Sequence, residues 1–516
     1  MPLSLSFLAF LAVLLPLYFL VPRRAQWSIL LAGSLVFYSF AGWRNLLVLL
    51  ALTAVTYLFG RLLGRSLDRQ TQTLAAHRDD GSWDKATRKQ YRDRCMMRRR
   101  CLLAVGIGWQ LSLLLVFKYL SCLSRLSGFS LWLFPLGLSY VTLSAVGYLI
   151  DVSRGQLVCE KNPAKLALFV FYFPQMWQGP INRYGELAPQ LFTPHTFDAP
   201  RALRGGIRAL WGGVKKVVVA NTVGVAVGTI IQSPDELGGA WTWLLILLYS
   251  IQIYADFTGG MDIALGVSHA LGIDLYENFD RPFGACSVAD YWRRWHRSMG
   301  RFFTDYVFYP LSTCRASQKL AKLSRRLPLW LATLITWTLT GLWHGVGWNF
   351  VLWGCCNGVF MLLSQELRGL RRWLKEKFPR IAASRSLAWL CCAGTLFTVG
   401  FFRTLDLCHD AGVTLALWRR AFTPVAIARL FDGALWASLG LSCPEWVLVG
   451  MGVVAMWLVG HAVPRLATPN ELSPADRLLR RPALFAMVCA LMVVCIAVFG
   501  HYGLGYDVMD FIYGQF

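Results

Sequence analysis

Long runs of apolar residues alternate with short polar stretches along almost the whole chain. Clear examples cover residues 3–21, 45–63, 102–120 and 482–500, and each is long enough to cross a hydrocarbon core of about 30 Å. These runs lack the polar face that a surface helix of a soluble protein shows, so we expect their helices to contact lipid. The pattern predicts an all-α polytopic membrane protein with about 11 to 13 membrane helices, short or re-entrant ones included.

The pattern becomes irregular between residues 166 and 360. Three apolar runs in this part are interrupted by charged residues, glycine or proline: residues 166–173, 261–272 and 288–311. Such segments are tolerated at membrane depth only where protein or water covers them. We therefore expect a functional core of interrupted helices around a central polar cavity in residues 166–360. More regular membrane helices are expected in residues 1–165 and 361–516.

Composition supports a membrane protein, and the charge distribution argues against one that binds nucleic acid. The 516 residues are 56% hydrophobic and 15% charged, and the mean hydropathy of +0.47 is too high for a soluble domain of this length. The formal net charge is +23, but lysine and arginine collect between apolar runs, most densely in residues 61–100. Retention of positive charge in the cytoplasm explains this distribution better than nucleic acid does.

The basic residues also predict an orientation. No basic residue precedes the first apolar run, and Arg23 and Arg24 follow it, which indicates a retained first span with the N-terminus outside. After two further spans, the basic loop of residues 61–100 falls on the cytoplasmic side again. One orientation therefore accounts for the first three spans.

Neither the cysteines nor the histidines form a recognisable metal-binding motif. The 14 cysteines are scattered without a C-x-x-C pair, and neither His296 nor His344 belongs to an H-E-x-x-H motif. The chain also lacks a Walker loop and a G-x-S-x-G motif. The sequence therefore predicts no metal site, no use of ATP and no hydrolase triad.

Polar clusters interrupt the apolar sequence of the central part. The first, residues 173–184, contains Gln178 and Arg183, and a helix that ends at Gly-Pro with an interfacial arginine explains it as well as function does. In the second, Asp256 and Asp262 closely follow an apolar run, at a helix end or in the cavity. A carboxylate inside a membrane is costly unless it is paired. The expected partners are Arg293, Arg294 and Arg297.

Two histidines in the central part are candidates for chemistry. His296 is flanked by Trp292 and Trp295, where a neutral, proton-accepting imidazole is expected. His344 ends an apolar run and has glycines nearby, which favour a broken helix and access for a substrate. A buried histidine that is hydrogen-bonded to a neighbouring carbonyl is the alternative at this position.

Taken together and in this order, the clusters resemble the membrane-bound O-acyltransferase family. The resemblance is nearest to its bacterial branch of alginate O-acetyltransferases and teichoic acid D-alanyltransferases. The motifs are F-P-x-x-x-x-G-P-I-x-R-Y at 173–184, Y-x-D-F-x-G at 254–259, E-N-F-x-R-P at 277–282, W-R-R-W-H at 292–296 and L-W-H-G-x-x-W-x-F at 342–350. The aromatic ending at residues 510–516 is similar to the tail of the polysaccharide acetyltransferases.

The resemblance implies which residues act. His344 would be the catalytic histidine and His296 the second functional histidine, which orients the acceptor or polarises the carbonyl. Both a direct transfer and a covalent acyl intermediate remain open. The supporting or substrate-binding residues would be Trp343, Trp348, Trp295, Arg293, Asp305, Asn278, Asp256, Arg183 and Gln178.

The resemblance also implies a reaction and a location. An acyl group, acetyl ahead of others, would pass from a cytoplasmic thioester, acetyl-CoA or the phosphopantetheine of an acyl carrier protein, to hydroxyls of an extracytoplasmic polysaccharide or cell-envelope polymer. The donor is a co-substrate, and no tightly bound cofactor is implied. An extracytoplasmic acyl-transfer protein is the expected partner, and the bacterial plasma (inner) membrane is the expected location. D-alanyl transfer toward teichoic acid is one alternative, and a non-catalytic transporter or flippase is another.

Overall fold

The computed structural model describes residues 5–40, 42–127, 137–176, 178–232, 238–408, 410–423, 433–462 and 474–500. Every regular element in these ranges is a helix, which confirms the all-α prediction. The aromatic tail at residues 510–516 lies outside them. Within the described ranges the chain packs into two compact units, residues 1–198 with 271–276 and residues 199–270 with 277–516. The predicted functional division at residues 166 and 360 stays a prediction.

Several helices have the length and apolarity of membrane spans, which confirms a multi-pass membrane protein. Seven candidates meet both criteria within the described ranges, and a bent pair of helices at residues 348–377 raises the number to eight. Shorter apolar helices at Leu5–Leu20 and Leu138–Ser153 add to these. The total of about 11 to 13 membrane helices stays a prediction.

In the described residues of the first unit there are seven α-helices. They are α1 Leu5–Leu20, α2 Gln26–Phe40, α3 Trp43–Asp79, α4 Lys85–Ser127, α5 Leu138–Ser153, α6 Pro163–Phe171 and α7 Tyr184–Phe192. Nearly every side chain of α5 is buried, so it forms the centre of this unit. Helix α6 begins at Pro163 and ends at Phe171, just before a 3₁₀ turn that contains Pro174. The predicted interruption near residue 173 is therefore confirmed.

The basic stretch at residues 61–100 is not the extended loop that the charge pattern suggested. Helix α3 continues to Asp79 and α4 begins at Lys85, so only a short turn separates them. Arginine, lysine, glutamine and leucine all favour helix, and this preference carries both helices past their apolar segments. In the turn itself, hydrogen bonds from Ser82 lower the pKa of Asp80, an exposed carboxyl outside both candidate spans.

The second unit begins with three long segments. They are α8 Ala199–Gly213, which runs through a π-helical stretch at Val214–Ala220 into α9 Asn221–Gln232, and α10 Gly238–Ala270. The remaining helices are α11 Val288–Arg294, α12 Arg297–Phe303, α13 Tyr309–Thr313, α14 Arg315–Leu323, α15 Leu327–His344, α16 Trp348–Glu366, α17 Arg368–Lys377, α18 Pro379–Ala382, α19 Arg385–Cys408, α20 Ala411–Ala421, α21 Gly433–Ser438, α22 Cys443–Ala462, α23 Pro474–Leu479 and α24 Pro482–Phe499.

The predicted break near residue 261 is wrong, because α10 is continuous through Asp256 and Gly259. Gly259 lies against the backbone of α8 near Gly212, where a Cβ atom would collide with a carbonyl oxygen. Close approach between the two helices therefore explains this glycine. Asp256 is stabilised within the helix by an ion pair across the same contact, with Lys216 of the π-helical stretch.

The predicted breaks around the two histidines are confirmed. Helix α11 ends at Arg294 and α12 begins at Arg297, so His296 lies between them. Helix α15 ends at His344, and α16 begins at Trp348 and returns antiparallel to it. Gly347, in the connection, has φ of 140°, a backbone conformation that residues other than glycine rarely adopt.

Candidate active site

His344 is the last residue of α15 and is held between two indole rings. Its ring centroid lies 4.9 Å from that of Trp343 and 4.8 Å from that of Trp353 on α16, and only 5% of the residue is exposed. The close crossing of α15 and α16 brings these rings together. Added Cβ atoms at Gly341 and Gly354 would collide with backbone carbonyls of the opposite helix.

His296 is fully buried in the break between α11 and α12. Its backbone has φ of 46° and ψ of 54°, the left-handed region, which is uncommon for a residue other than glycine. Its ring packs edge-on against Phe257, with 4.9 Å between centroids, and lies 6.4 Å from the ring of Trp343. A strained backbone persists only where its surroundings determine it, and such residues are concentrated at functional sites.

Asn278 fixes the chain directly after His296. Its backbone carbonyl accepts a hydrogen bond of 3.0 Å from the Arg297 N–H, and its side-chain carbonyl accepts one of 2.9 Å from the Ser298 N–H. The side chain of Asn278 is fully buried. Asn278, a predicted site residue, therefore holds the start of α12 in place and with it the backbone of His296.

Trp343 joins the two histidines into one aromatic cluster, because its ring contacts both imidazoles. The cluster continues through Trp292, whose ring packs edge-on against that of Trp353 with 5.5 Å between centroids. Its indole N–H donates a hydrogen bond of 3.1 Å to the side-chain carbonyl of Asn357. Trp295 also belongs to it, packed against Phe257. The sequence-predicted residues His344, His296, Trp343, Trp295 and Asn278 thus lie together in the second unit.

Two buried indoles of this cluster have an N–H group that is not hydrogen-bonded to any described residue. They are those of Trp295 and Trp353. Buried polar groups are nearly always paired in a working protein, so each is a candidate donor to a bound carbonyl or hydroxyl. Sequence reasoning missed Trp353, which lies on α16 five residues after Trp348 and belongs to none of the motifs.

In the part of the chain that the structure describes, the ion pairs recorded for Asp256 and Asp262 are with cations other than the arginines near His296, so that expectation is wrong. Asp256 pairs with Lys216, and Asp262 accepts hydrogen bonds of 2.9 Å from Arg208 and 2.6 Å from Lys215. All three cations come from α8 and its π-helical continuation, which lie beside α10. Arg293 and Arg294 instead pair with Asp290 on their own helix, at 3.3 and 2.9 Å.

The remaining predicted residues are at least partly exposed or belong to the first unit. The side chain of Arg293 is largely exposed, Trp348 is 77% exposed, and Asp305 is half-buried in a π-helical turn at Thr304–Phe308. Gln178 and Arg183 belong to the first unit, Gln178 fully buried and Arg183 at the residue before α7. No group of three or more potential metal ligands occurs in the described ranges.

Residues 109–397 match the sequence profile of MBOAT, the membrane-bound O-acyltransferase family. The chain is 30% identical over 373 residues to the probable alginate O-acetylase of Azotobacter vinelandii, which covers 70% of this chain and 67% of that protein. It is 29% identical over 328 residues to the peptidoglycan O-acetyltransferase of Helicobacter pylori, with 57% and 59% covered. It is 27% identical over 248 residues to the teichoic acid D-alanyltransferase of Streptococcus thermophilus, with 47% and 58% covered. The match spans both histidines.

Proposed function

This chain belongs to the membrane-bound O-acyltransferase family, and from that premise we propose that it transfers an acetyl group from a cytoplasmic thioester to hydroxyls of an extracytoplasmic polysaccharide. It is an acyltransferase, and it uses an acyl donor as co-substrate. The observation that carries the proposal is the pair of buried histidines, His344 and His296, in one aromatic cluster. Relatives that transfer acetyl to alginate and peptidoglycan favour acetyl as the group.

The cluster suits attack of a hydroxyl on a thioester. A sugar hydroxyl is a poor nucleophile at neutral pH, so a positioned imidazole must accept its proton as the C–O bond forms. We assign that task to His344. As the C–S bond breaks, the imidazolium returns the proton to the departing sulfur, which leaves as a thiol. His296 and the unpaired indole N–H of Trp353 orient the acceptor or stabilise the charge on the carbonyl oxygen.

The donor and the partner are the finer parts of the proposal. Acetyl-CoA is our first choice of donor, and an acyl carrier protein is the second. An extracytoplasmic acyl-transfer protein is proposed as a partner that carries the acyl group on to the polymer. D-alanyl transfer toward teichoic acid remains the second candidate function, because a D-alanyltransferase is among the relatives. Mass spectrometry of the modified polymer separates the two groups by their different masses.

We propose that the plasma (inner) membrane of a bacterium holds the chain with its N-terminus outside. In the second unit, basic residues precede α15 and follow α16, and Arg326 pairs with Glu366 at 2.6 Å where these two ends meet. Positive charge of this kind favours the cytoplasmic side. Helix α15 has 18 residues and is roughly 27 Å long, so His344 would lie toward the outer face, within reach of the acceptor.

Cysteine labelling tests this orientation. In a chain without its native cysteines, Ala75→Cys near the end of α3 and Ser324→Cys before α15 should resist a membrane-impermeant maleimide on intact cells and react after permeabilisation. Both positions are exposed. The matched variant is Trp348→Cys, at the opposite end of the α15–α16 hairpin. This cysteine should react with the maleimide from outside intact cells. Reaction at residue 75 on intact cells would overturn the orientation and our assignment of the donor side.

Acyl transfer by the purified chain tests the function. We expect detergent-solubilised protein to move label from [¹⁴C]acetyl-CoA to a polysaccharide or its extracytoplasmic carrier partner as an alkali-labile ester, with release of free CoA. The control is a His344→Ala variant that is purified and assayed in the same way. A transporter or flippase would instead move substrate across proteoliposomes and form no ester, and that outcome would refute the proposal.

A further inference from the structure

Arg403 is a buried cation that the mechanism above does not use. It lies on α19, one of the candidate membrane spans, and only 1% of the residue is exposed. Burying a charged group is costly unless partners offset the loss of water, so such residues usually mark function or a fixed ion pair. The sequence predicted only regular membrane helices in residues 361–516, and Arg403 falls beyond the matched residues 109–397.

The contacts of Arg403 lead to the segment that ends at His296. Its guanidinium carbon lies 4.1 Å from the ring centroid of Trp295 and 5.7 Å from that of Trp292. It also donates a hydrogen bond of 3.2 Å to the hydroxyl of Tyr291. All three partners belong to α11 or directly follow it. One guanidinium therefore holds the side chains of the last turn before the break.

Asp406, one turn further along α19, partly balances the charge. One of its carboxylate oxygens lies 3.8 Å from the guanidinium, and the residue is 5% exposed. This distance is at the upper limit for an ion pair, whereas the approach to the Trp295 ring is close. A planar guanidinium over an indole face is a favourable cation–π arrangement, and it is stronger where water is excluded.

Trp295 immediately precedes His296, and so its position controls the strained backbone. The Trp295 ring stacks on that of Tyr291, with 5.6 Å between centroids and 14° between planes, and it contacts Arg403 as well. On the other side of His296, Asn278 fixes residues 297 and 298. The left-handed conformation of His296 is thus constrained from both directions.

We propose that Arg403 is a positioning residue for His296, which it aims by clamping the Trp295 indole and the Tyr291 hydroxyl. This inference rests on the proposed function and adds a second part of the chain, α19, to the acyl-transfer machinery. Arg403 touches the residues that carry His296 and is not assigned a contact with substrate. Its effect therefore has to pass through His296.

A double-mutant cycle tests this dependence. Arg403→Gln should lower kcat on the order of 10-fold, with the KM for the acyl donor changed less than twofold. Arg403→Lys should not restore the rate, because an ammonium lacks the planar surface that covers the indole. In a His296→Ala background, Arg403→Gln should cost almost nothing further. Arg385→Gln, at the exposed start of the same helix, is the matched control and should leave kcat unchanged.

Chemical labelling gives a readout that does not need turnover. In the wild-type protein, His296 should resist diethyl pyrocarbonate because it is fully buried. Arg403→Gln should raise labelling at His296, found by peptide mass spectrometry, while labelling at His344 stays constant. A merely structural role for Arg403 would raise labelling at both histidines and lower the melting temperature without a selective fall in kcat.

The outcomes separate this inference from the proposed function. If His296→Ala itself keeps full activity, the assignment of His296 under the proposed function fails. If His296→Ala is impaired while Arg403→Gln keeps the wild-type kcat, or is equally harmful with and without His296, only the positioning role of Arg403 is refuted.

Discussion

Replacing His344 with alanine is expected to lower acyl transfer by about 10²–10⁴-fold, the usual contribution of general acid–base catalysis. The side chain lies between two indoles at the end of α15, and its removal leaves the hairpin contacts of α15 and α16 intact. The variant should therefore insert into the membrane and fold normally. Acyl transfer and the melting temperature in detergent are measured on the same preparation.

A matched histidine separates catalysis from stability. His461 is exposed near the end of α22, and His461→Ala should change neither quantity. A structural His344 would instead lower the melting temperature and the yield in step with activity. A stable His344→Ala protein that transfers acyl groups at nearly the wild-type rate would eliminate His344 as the base.

The two histidines should behave as a unit. His296→Ala should also reduce activity, by less than His344→Ala if it acts by positioning. The double variant should fall well short of the product of the two single effects, because both would act on one transition state. Fully multiplicative losses would show that the two histidines contribute independently.

The largest effect on stability is expected at the ion pair of Asp256 with Lys216, where both side chains are at least nine-tenths buried. Asp256→Ala leaves the lysine charge buried without its counter-ion, and we expect a loss of about 3–5 kcal/mol in the free energy of unfolding. Lys216→Met should be similarly harmful. The combination Asp256→Leu with Lys216→Met removes both charges and should recover most of the stability.

An exposed pair provides the comparison. Glu366→Ala breaks the contact with Arg326. The side chain of Glu366 is 37% exposed and that of Arg326 is 68% exposed, so the loss in the free energy of unfolding should be no more than about 1 kcal/mol. Thermal unfolding in detergent measures all four variants. If Asp256→Ala proves as mild as Glu366→Ala, the pair is not a buried electrostatic contact. Activity of the recovered double variant then decides whether Asp256 also supports catalysis, as the sequence suggested.

Local patterns in the sequence predicted the helices and helix breaks, which depend on residues close together in the chain. Apolar runs predicted the membrane helices, charged residues in the run 288–311 predicted a break near His296, and glycines near His344 predicted a break there. A joint role for the two histidines came only from the family resemblance. Partners from distant segments were not predictable. Asp256 appeared to require a helix end because Lys216, which neutralises it, lies 40 residues earlier in the chain.

The same limit explains other differences. Arg403 was overlooked because its partners near His296 are more than 100 residues away, and one arginine in an apolar run carries no motif. Trp348 belongs to the same short motif as His344, yet the turn of the chain at Gly347 leaves it exposed. Shared membership of a motif therefore did not establish a shared environment.

The π-helical stretch at Val214–Ala220 makes chain length there as important as residue identity. A π-turn accommodates one residue more than an α-turn. With this geometry the consecutive residues Lys215 and Lys216 both reach carboxylates of α10, Asp262 and Asp256. Deleting one residue would restore an ordinary α-helix. Consecutive side chains of an α-helix point about 100° apart, so Lys215 and Lys216 would no longer both reach their carboxylates. Insertions and deletions within these seven residues should thus be excluded during divergence, even where conservative substitutions are accepted.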